Sequence, residues 1–340
     1  MGALGLTGAP LPESVGGAGF SYLGWSLVME ELGAVDMATA VTLSVHILAQ
    51  LPVVEWGSAE QVDRWLTPML SGDALGAFAL TEPHAGSDAA AIRCRAERDG
   101  DVYRLTGTKI WISNAPEADR YLVFASLDPE AGARAITAFL VEKGTPGFRF
   151  GAHEKKMGIR SCPAAELVFE GAEVPAANRL GEEGDGYRIA LSALAEGRIS
   201  IAAACVGIAR SALDQAATYL RERRAFGGPL VEQQGLRFML AEMARDVAAA
   251  RALTRVAAAA RDRGEPLGEV SSLAKWTASD TAMRVATEAV QLFGASGYSR
   301  ETGLERLMRD AKGAQIYEGT NQIHRLIVAD ALLERTAPRG

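Results

Sequence analysis

Only three cysteines occur in the 340 residues, Cys94, Cys162 and Cys205. They lie far apart and form no CxxC, which excludes a disulfide scaffold and makes free thiols in a reducing compartment the expectation. The four histidines, His46, His84, His153 and His324, include no HxxxH or similar pair, so no metal site is expected. Basic charge is short as well. Against 35 Lys and Arg stand 42 Asp and Glu, a net charge of -7, the wrong sign for a protein whose main task is to grip a phosphate backbone. Long apolar runs are missing too. The charge-free apolar run near residues 199–209 falls far short of the roughly 20 residues of a membrane span and reads as a buried helix. The start, MGALGLTGAP, has no charged n-region, and Leu6 stands where a myristoylation motif needs Ser or Thr. Gly17-x-Gly19 begins a dinucleotide fingerprint, but Tyr22 takes the third glycine's place and no strand precedes it. These absences leave a soluble, cytoplasmic protein, with neither nucleic acid nor membrane as partner, as the expectation.

What is present is an ordinary globular composition, 48% hydrophobic and 23% charged, in a chain long enough for about two domains. Residues 1–75 read as mostly helical after a Gly/Pro-rich start. Leu27, Val28 and Leu32 recur at helical spacing, with Glu30 and Glu31 assigned to the opposite face, and a second helix covers 44–52. Residues 76–185 change character. Strand-like runs at 103–106, 109–113, 121–125, 136–141, 148–150 and 166–169 alternate with Gly/Pro/Asp turns, predicting a small antiparallel β-barrel or sandwich. Residues 186–340 return to long amphipathic helices. Leu236, Met239, Leu240, Met243 and Val247 share one face, and Glu242, Arg245 and Asp246 face away. Breaks at 227–229, 264–268 and 294–297 divide this part into about four helices, hence a four-helix bundle. Segregated helical, β and helical parts predict an α+β class rather than a doubly wound sheet.

The stretch with most chemical content is MRDAKGAQIYEGTNQIHRLI, residues 308–327. It places Glu318 on a short connector between an apolar-rich helical run and a helix that starts at Thr320 or Asn321, both good N-caps. The helix N-terminus favours the carboxylate, whereas an apolar pocket favours the protonated acid, and a general base near neutrality needs the two to balance. Taken alone, YEGT reads more readily as a helix-capping glutamate in a loop.

Several segments together decide between these readings. The 308–327 stretch resembles the C-terminal signature of the acyl-CoA dehydrogenases, flavoenzymes that introduce an α,β double bond into acyl-CoA thioesters. TEPHAGSD at 81–88 resembles their first signature, KIWISN at 109–114 the K-x-W-I-T-N element, and RERRAFG at 221–227 the RxxFG signature. QLFGASG at 291–297 and the GAPLPESVGGAGF start match further family segments. The resemblance runs from Pro12 to about Leu333, and the family's order of helical, β and four-helix parts agrees with the reading above. MGIR and AEGR look most like the short-chain, butyryl-type branch. Family members carry one or two more helices before the PE-x-x-GG segment, so by this resemblance the chain is N-terminally abbreviated, which bears on stability more than on chemistry.

The resemblance implies FAD as cofactor, an acyl-CoA substrate, an electron-transfer flavoprotein as electron acceptor, and a homo-oligomer built as a dimer of dimers. Glu318 is then the base that removes the α-proton while the β-hydrogen leaves as hydride to flavin N5. Members acting on branched or long chains place their base before the Arg of AEGR; here that position is Gly197, so Glu318 has no competitor, and Glu196 reads as a surface or salt-bridging charge. For the flavin the resemblance implies Phe78, Leu80, Thr81, Ser87, Trp111, Ile112, Ser113, Gln234, Gln291, Gly294, Ala295, Thr320 and Gln322. Arg223 would pair with a pyrophosphate and Phe226 would pack on the cofactor of a neighbouring subunit. Ser87, Arg198, Tyr317 and Gly319 are implied for the substrate. Two departures stand out: Ala295 replaces the usual second glycine, and His84 replaces a small residue, as an exposed loop histidine or as a group narrowing the CoA entrance. An oxidase or flavin oxygenase on the same scaffold, a DNA-binding homologue without catalysis, and an acyl-carrier-protein-linked substrate are the alternatives.

Overall fold

A computed structural model describes residues 1–337. The chain forms two compact units, one of Met1–Phe20, Thr42–Lys155 and Ser161–Gly197, the other of Ser21–Val41, Lys156–Arg160 and the residues from Arg198 onward.

The first unit is organised on a sheet. Its strands are β1 (Gly76–Ala79), β2 (Arg95–Asp99), β3 (Val102–Ser113), β4 (Arg120–Ser126), β5 (Ile136–Glu142), β6 (Phe148–His153), β7 (Ala164–Pro175) and β8 (Arg179–Leu180). They run in the order β6-β7-β3-β2-β4-β5-β8, with β1 added in parallel to β4. All other pairings are antiparallel except the short β2–β4 contact. β4 and β5 are near-continuous apolar runs because both of their faces are covered. Alternate residues of β4 enter two different clusters. Tyr121 and Val123 join Tyr103, Phe139 and Phe169, whereas Leu122 and Phe124 join Trp65, Ile136 and Leu140. The runs predicted at 103–106 and 109–113 are one strand, interrupted by register shifts at Leu105/Thr106 and between Lys109 and Ile112. β2 was outside the predicted strands because its sequence, RAERD, is charged. A two-residue turn, with Gly100 at φ 62°, folds it back on β3 and supplies the pairing that its side chains do not suggest.

The second unit is helical. α1 is Tyr22–Val35, and most of the 37-residue α3, Gly186–Glu222, lies here, followed by α4 (Gln234–Asp262), α5 (Gly268–Phe293), α6 (Leu304–Ala314) and α7 (Asn321–Thr336). α2, Met37–Trp56, belongs mostly to the first unit. α2 and α3 are long and apolar enough to cross a membrane, but 78% of the apolar window of each is buried inside the protein, as core helices are.

The face assigned to α1 was wrong. Tyr22, Trp25, Met29 and Glu30 are buried, whereas Leu27 is 46% exposed. Glu30 goes inward because Arg251 reaches both of its oxygens, at 2.8–3.2 Å, and Arg210 approaches at 3.4 Å. A paired carboxylate can be buried where a lone one cannot. Two glycines set how closely α1 meets α3. A Cβ on Gly33 would lie 2.2 Å from the Ala204 carbonyl, and one on Gly207 would lie 2.1 Å from that of Glu30. The indole of Trp25 donates to Ser200 Oγ at 2.8 Å across the same contact.

Candidate active site

α6 ends at Ala314 and α7 starts at Asn321, so residues 315–320 form the connector predicted to carry a base. Thr320 is the N-cap, its hydroxyl accepting from Ile323 N at 3.4 Å. Glu318 has φ 54° and Gly319 φ 93°. The left-handed region is natural for glycine but unfavourable for glutamate, so something outside the tripeptide must hold Glu318 there.

The carboxylate it presents is buried in part, and its Oε2 has no hydrogen-bond partner. Burial pushes its pKa up to about 7, an effect that the cations of Lys275 and Arg198 offset in part. Burial supplies the upward push expected of an apolar pocket, whereas the opposing charge, expected from the helix N-terminus, comes from side chains of α3 and α5. Lys275 is fully buried, and its ammonium donates to Gly319 O at 2.7 Å and to Asn321 Oδ1 at 3.2 Å. Burial lowers its pKa to about 8. Arg198, also buried, donates to Ser272 Oγ at 3.4 Å, and burial holds its guanidinium below the usual range. His324, one turn into α7, packs its ring against Gly319 with neither nitrogen hydrogen-bonded. Burial, reinforced by the two cations, lowers its pKa to about 3, so it is neutral.

The first unit carries the two central motifs. Lys109, fully buried, donates to Glu82 Oε1 at 2.6 Å and to Leu80 O at 2.9 Å. Glu82 also accepts from Arg93 N at 2.6 Å and Cys94 N at 2.9 Å. This pair ties the TEPHAGSD loop to the KIWISN strand. Between Lys109 and Ile112 the ladder bulges, and Trp111 adopts φ 59° with its indole 54% exposed. A large aromatic turned out of a strand at a strained bulge is not part of the core and is open to contact from outside.

Of the residues implied for the flavin, Thr81 and Ser113 are half-buried and Ser87 is exposed. Leu80 and Ile112 are buried, and the half-buried Phe78 ring packs on Phe124 at 4.9 Å, so Leu80 and Ile112 can offer a ligand only main-chain groups. In the helical unit Arg223, Gln234, Gln291, Gly294, Ala295 and Gln322 are exposed, and Phe226 is 90% exposed at φ 52°. Tyr317 and Thr320 are half-buried. Stacking of Tyr219 on Phe293, centroids 4.0 Å apart, joins the C-terminal ends of α3 and α5 and with them Arg223 and Gln291. That end lies well away from Glu318: Lys275 and Gln291 are separated on α5 by roughly 24 Å of helix.

Of the two readings given to Glu196, a surface or a salt-bridging charge, the structure excludes the first, because the residue is buried at 8% exposure. His84 does stand exposed on its loop, 3.5 Å from Glu82. Lys275, Asp280, His324, Glu82 and Lys109 had been given no role, and Asn321 only that of a candidate N-cap. For Lys275 a signal existed: in SSLAKWTASD it shares the buried face of Ser271, Ala274 and Ala278, where a charged residue is out of place.

The chain is similar to known proteins over nearly its whole length. The chain matches the family models "Acyl-CoA dehydrogenase, N-terminal domain" at residues 1–73, "middle domain" at 77–172 and "C-terminal domain" at 184–333. It is 47% identical to an acyl-CoA dehydrogenase of Bacillus subtilis over 99% of this chain and 89% of that protein. Among solved structures it is similar to the butyryl-CoA dehydrogenase of Megasphaera elsdenii, with a TM-score of 0.96 and 45% identity over 98% of this chain and 88% of that one. A chain from a structure of the electron transferring flavoprotein of Acidaminococcus fermentans, described as concerning flavin-based electron bifurcation, is also similar, at TM-score 0.96 and 47% identity over 98% and 88%.

Proposed function

The chain belongs to the acyl-CoA dehydrogenase family, and from that premise we propose that it oxidises a short-chain acyl-CoA to the trans-2-enoyl-CoA with Glu318 as the base. The observation that carries this is the Glu318 carboxylate, half-buried, with one oxygen unpartnered and a pKa raised to about 7. A carboxylate so placed is deprotonated in a substantial fraction near neutrality yet basic enough to accept a carbon-bound proton, which an ordinary surface glutamate is not. Butyryl-CoA is the substrate to test first, because the similar Megasphaera elsdenii protein is a butyryl-CoA dehydrogenase.

The chain's residues fit FAD: an exposed Trp111 at a strained bulge, an exposed Phe226 and the Arg223 guanidinium suit a group with a flat ring system and phosphates. When bound, FAD supplies the acceptor for the β-hydride. The Glu318 N–H polarises the thioester carbonyl, acidifying the α-carbon, and Glu318 Oε2 receives the proton. Electrons then pass to an electron-transfer flavoprotein, a reading supported by the Acidaminococcus fermentans similarity. Exposure of Phe226 and Gln234 in a single chain fits a homo-oligomer in which they serve a neighbour's site. The buried thiols of Cys94 and Cys205 fit a cytoplasmic, reducing setting.

Anaerobic titration of the purified flavoprotein with butyryl-, octanoyl- and isovaleryl-CoA tests the substrate class, and bleaching of the flavin band is expected with butyryl-CoA foremost. Glu318→Gln is expected to lower turnover by roughly 10²–10⁴-fold with FAD still bound. An unchanged rate in that variant removes Glu318 from the role.

A further inference from the structure

Both feet and the crown of the 315–321 connector are tied to a single stretch of α5. Ahead of Glu318, Gln315 Nε2 donates to Asp280 Oδ1 at 2.6 Å. Behind it, Asn321 Nδ2 donates to the same oxygen at 2.7 Å and to Ser279 Oγ at 3.0 Å. Over the crown, Lys275 Nζ holds Gly319 O at 2.7 Å and Asn321 Oδ1 at 3.2 Å. Trp276 Nε1 donates to the remaining Asp280 oxygen at 2.9 Å, which fixes the carboxylate's orientation. Lys275, Trp276, Ser279 and Asp280 stand at i, i+1, i+4 and i+5, so they share one side of the helix.

We infer that residues 275–280 of α5 are a clamp that holds Glu318 in its left-handed conformation, which makes Lys275 and Asp280 positioning residues for the base. The inference rests on the reading of Glu318 as base given above. Helix capping does not account for these bonds, because the Thr320 hydroxyl already caps α7. Nor does neutralisation, because Lys275 spends its bonds on Gly319 O and Asn321 and not on the Glu318 carboxylate. A buried ammonium is expensive unless its hydrogen bonds are met, and here they are met by the connector it fixes.

The same ammonium sets when the base is available. The ionisable groups coupled to Lys275 are Glu318 on the connector, Arg198 and Cys205 of α3, and Asp280 on α5 itself. The α7 residues nearest the connector add His324, held neutral by burial, and Arg325, 3.7 Å from Asp280. Lys275 and Arg198 are the cations that favour the Glu318 carboxylate. Removing the Lys275 charge therefore raises the pH at which Glu318 becomes a base.

The test uses the FAD-loaded enzyme. Glu318→Gln comes first: if it retains wild-type turnover, the base reading itself has failed, separately from the clamp. With that loss established, Lys275→Met is expected to lower kcat about tenfold or more with KM and bound FAD little changed. The midpoint of the acidic limb of the kcat–pH profile should move up by about one unit, and Lys275→Arg, which keeps the charge, should bring it back. Gln315→Ala removes one foot without touching a buried charge and serves if Lys275→Met does not fold. Its crystal structure should show Glu318 released from positive φ, with kcat reduced. A wild-type pH profile in Lys275→Met, or an unmoved Glu318 with full kcat in Gln315→Ala, overturns the inference.

Discussion

Each unit of the molecule buries a lysine close to a glutamate, and the two pairs are built to opposite ends. In the sheet unit Lys109 and Glu82 bond directly at 2.6 Å, and Leu80 O, Arg93 N and Cys94 N take up further hydrogen-bonding capacity on both side chains. In the helical unit Lys275 turns instead to Gly319 O and Asn321, and one oxygen of Glu318 is left without a partner. The first pair is closed and can only hold structure together. The second is open, so the cost of burial appears as a pKa near 7 rather than as a bond. A buried charge becomes chemically useful when its partners are withheld, and the surroundings must then do the holding that those partners would have done.

Breaking the closed pair should have the largest effect. Lys109→Met leaves the Glu82 carboxylate buried without its cation and is expected to destabilise the protein by about 3–5 kcal/mol, read from the urea midpoint. A small loss there would mean that the two sites differ less than their geometry says. A pH experiment sharpens the open pair. Because the folded pKa of Glu318 lies above its ordinary 4.5, the native state holds the extra proton between those values. Stability from this group is complete below pH 4.5 and is lost as pH rises through about 7. Glu318→Gln should therefore gain roughly 1–3 kcal/mol over the wild type at pH 8 and nothing at pH 4, which parallel urea titrations would show. Equal gains at both values would contradict the assigned shift.

The smallest effects concern the two buried histidines, which repeat the contrast. His46 accepts from Gly76 N at 3.0 Å through Nδ1 and bonds Met69 O through Nε2, whereas His324 bonds nothing with either nitrogen. His46→Leu orphans a buried N–H and should cost about 1–3 kcal/mol, while His324→Leu should fall within about 1 kcal/mol of neutral. Burial holds both native residues neutral, at about 4 and 3. Their contribution is thus present above the ordinary value of 6.5 and is lost as pH falls toward those figures. The wild type should lose stability in that window, and His46→Leu should flatten the loss.

Much of this was legible in the chain. The helical, β and helical succession followed from the change of apolar period; the place of Glu318 between two helix signals was visible too, but its reading as a base came from the family resemblance of several segments together. β2 was hidden because its charged residues pair through a turn and not through packing. Glu30 was assigned to solvent because a helical wheel cannot show that Arg251, 221 residues away, comes to meet it. For Glu196 the surface and salt-bridging readings stayed open for a related reason: one helical position gives an angle about the axis, but not what covers that angle.

Sequence by itself determined where the two helices around Glu318 meet, which residue types occupy the connector, and that a glutamate stands between two rigid elements, since these depend on neighbours within a few residues; it did not bound every helix, for α2, expected at 44–52, runs from Met37 to Trp56. Only the tertiary structure decided which charges are buried together, which are paired and which are left open. Those outcomes depend on desolvation and on contacts such as Lys275 with Gly319, which join segments 44 residues apart and leave no periodic trace in the chain.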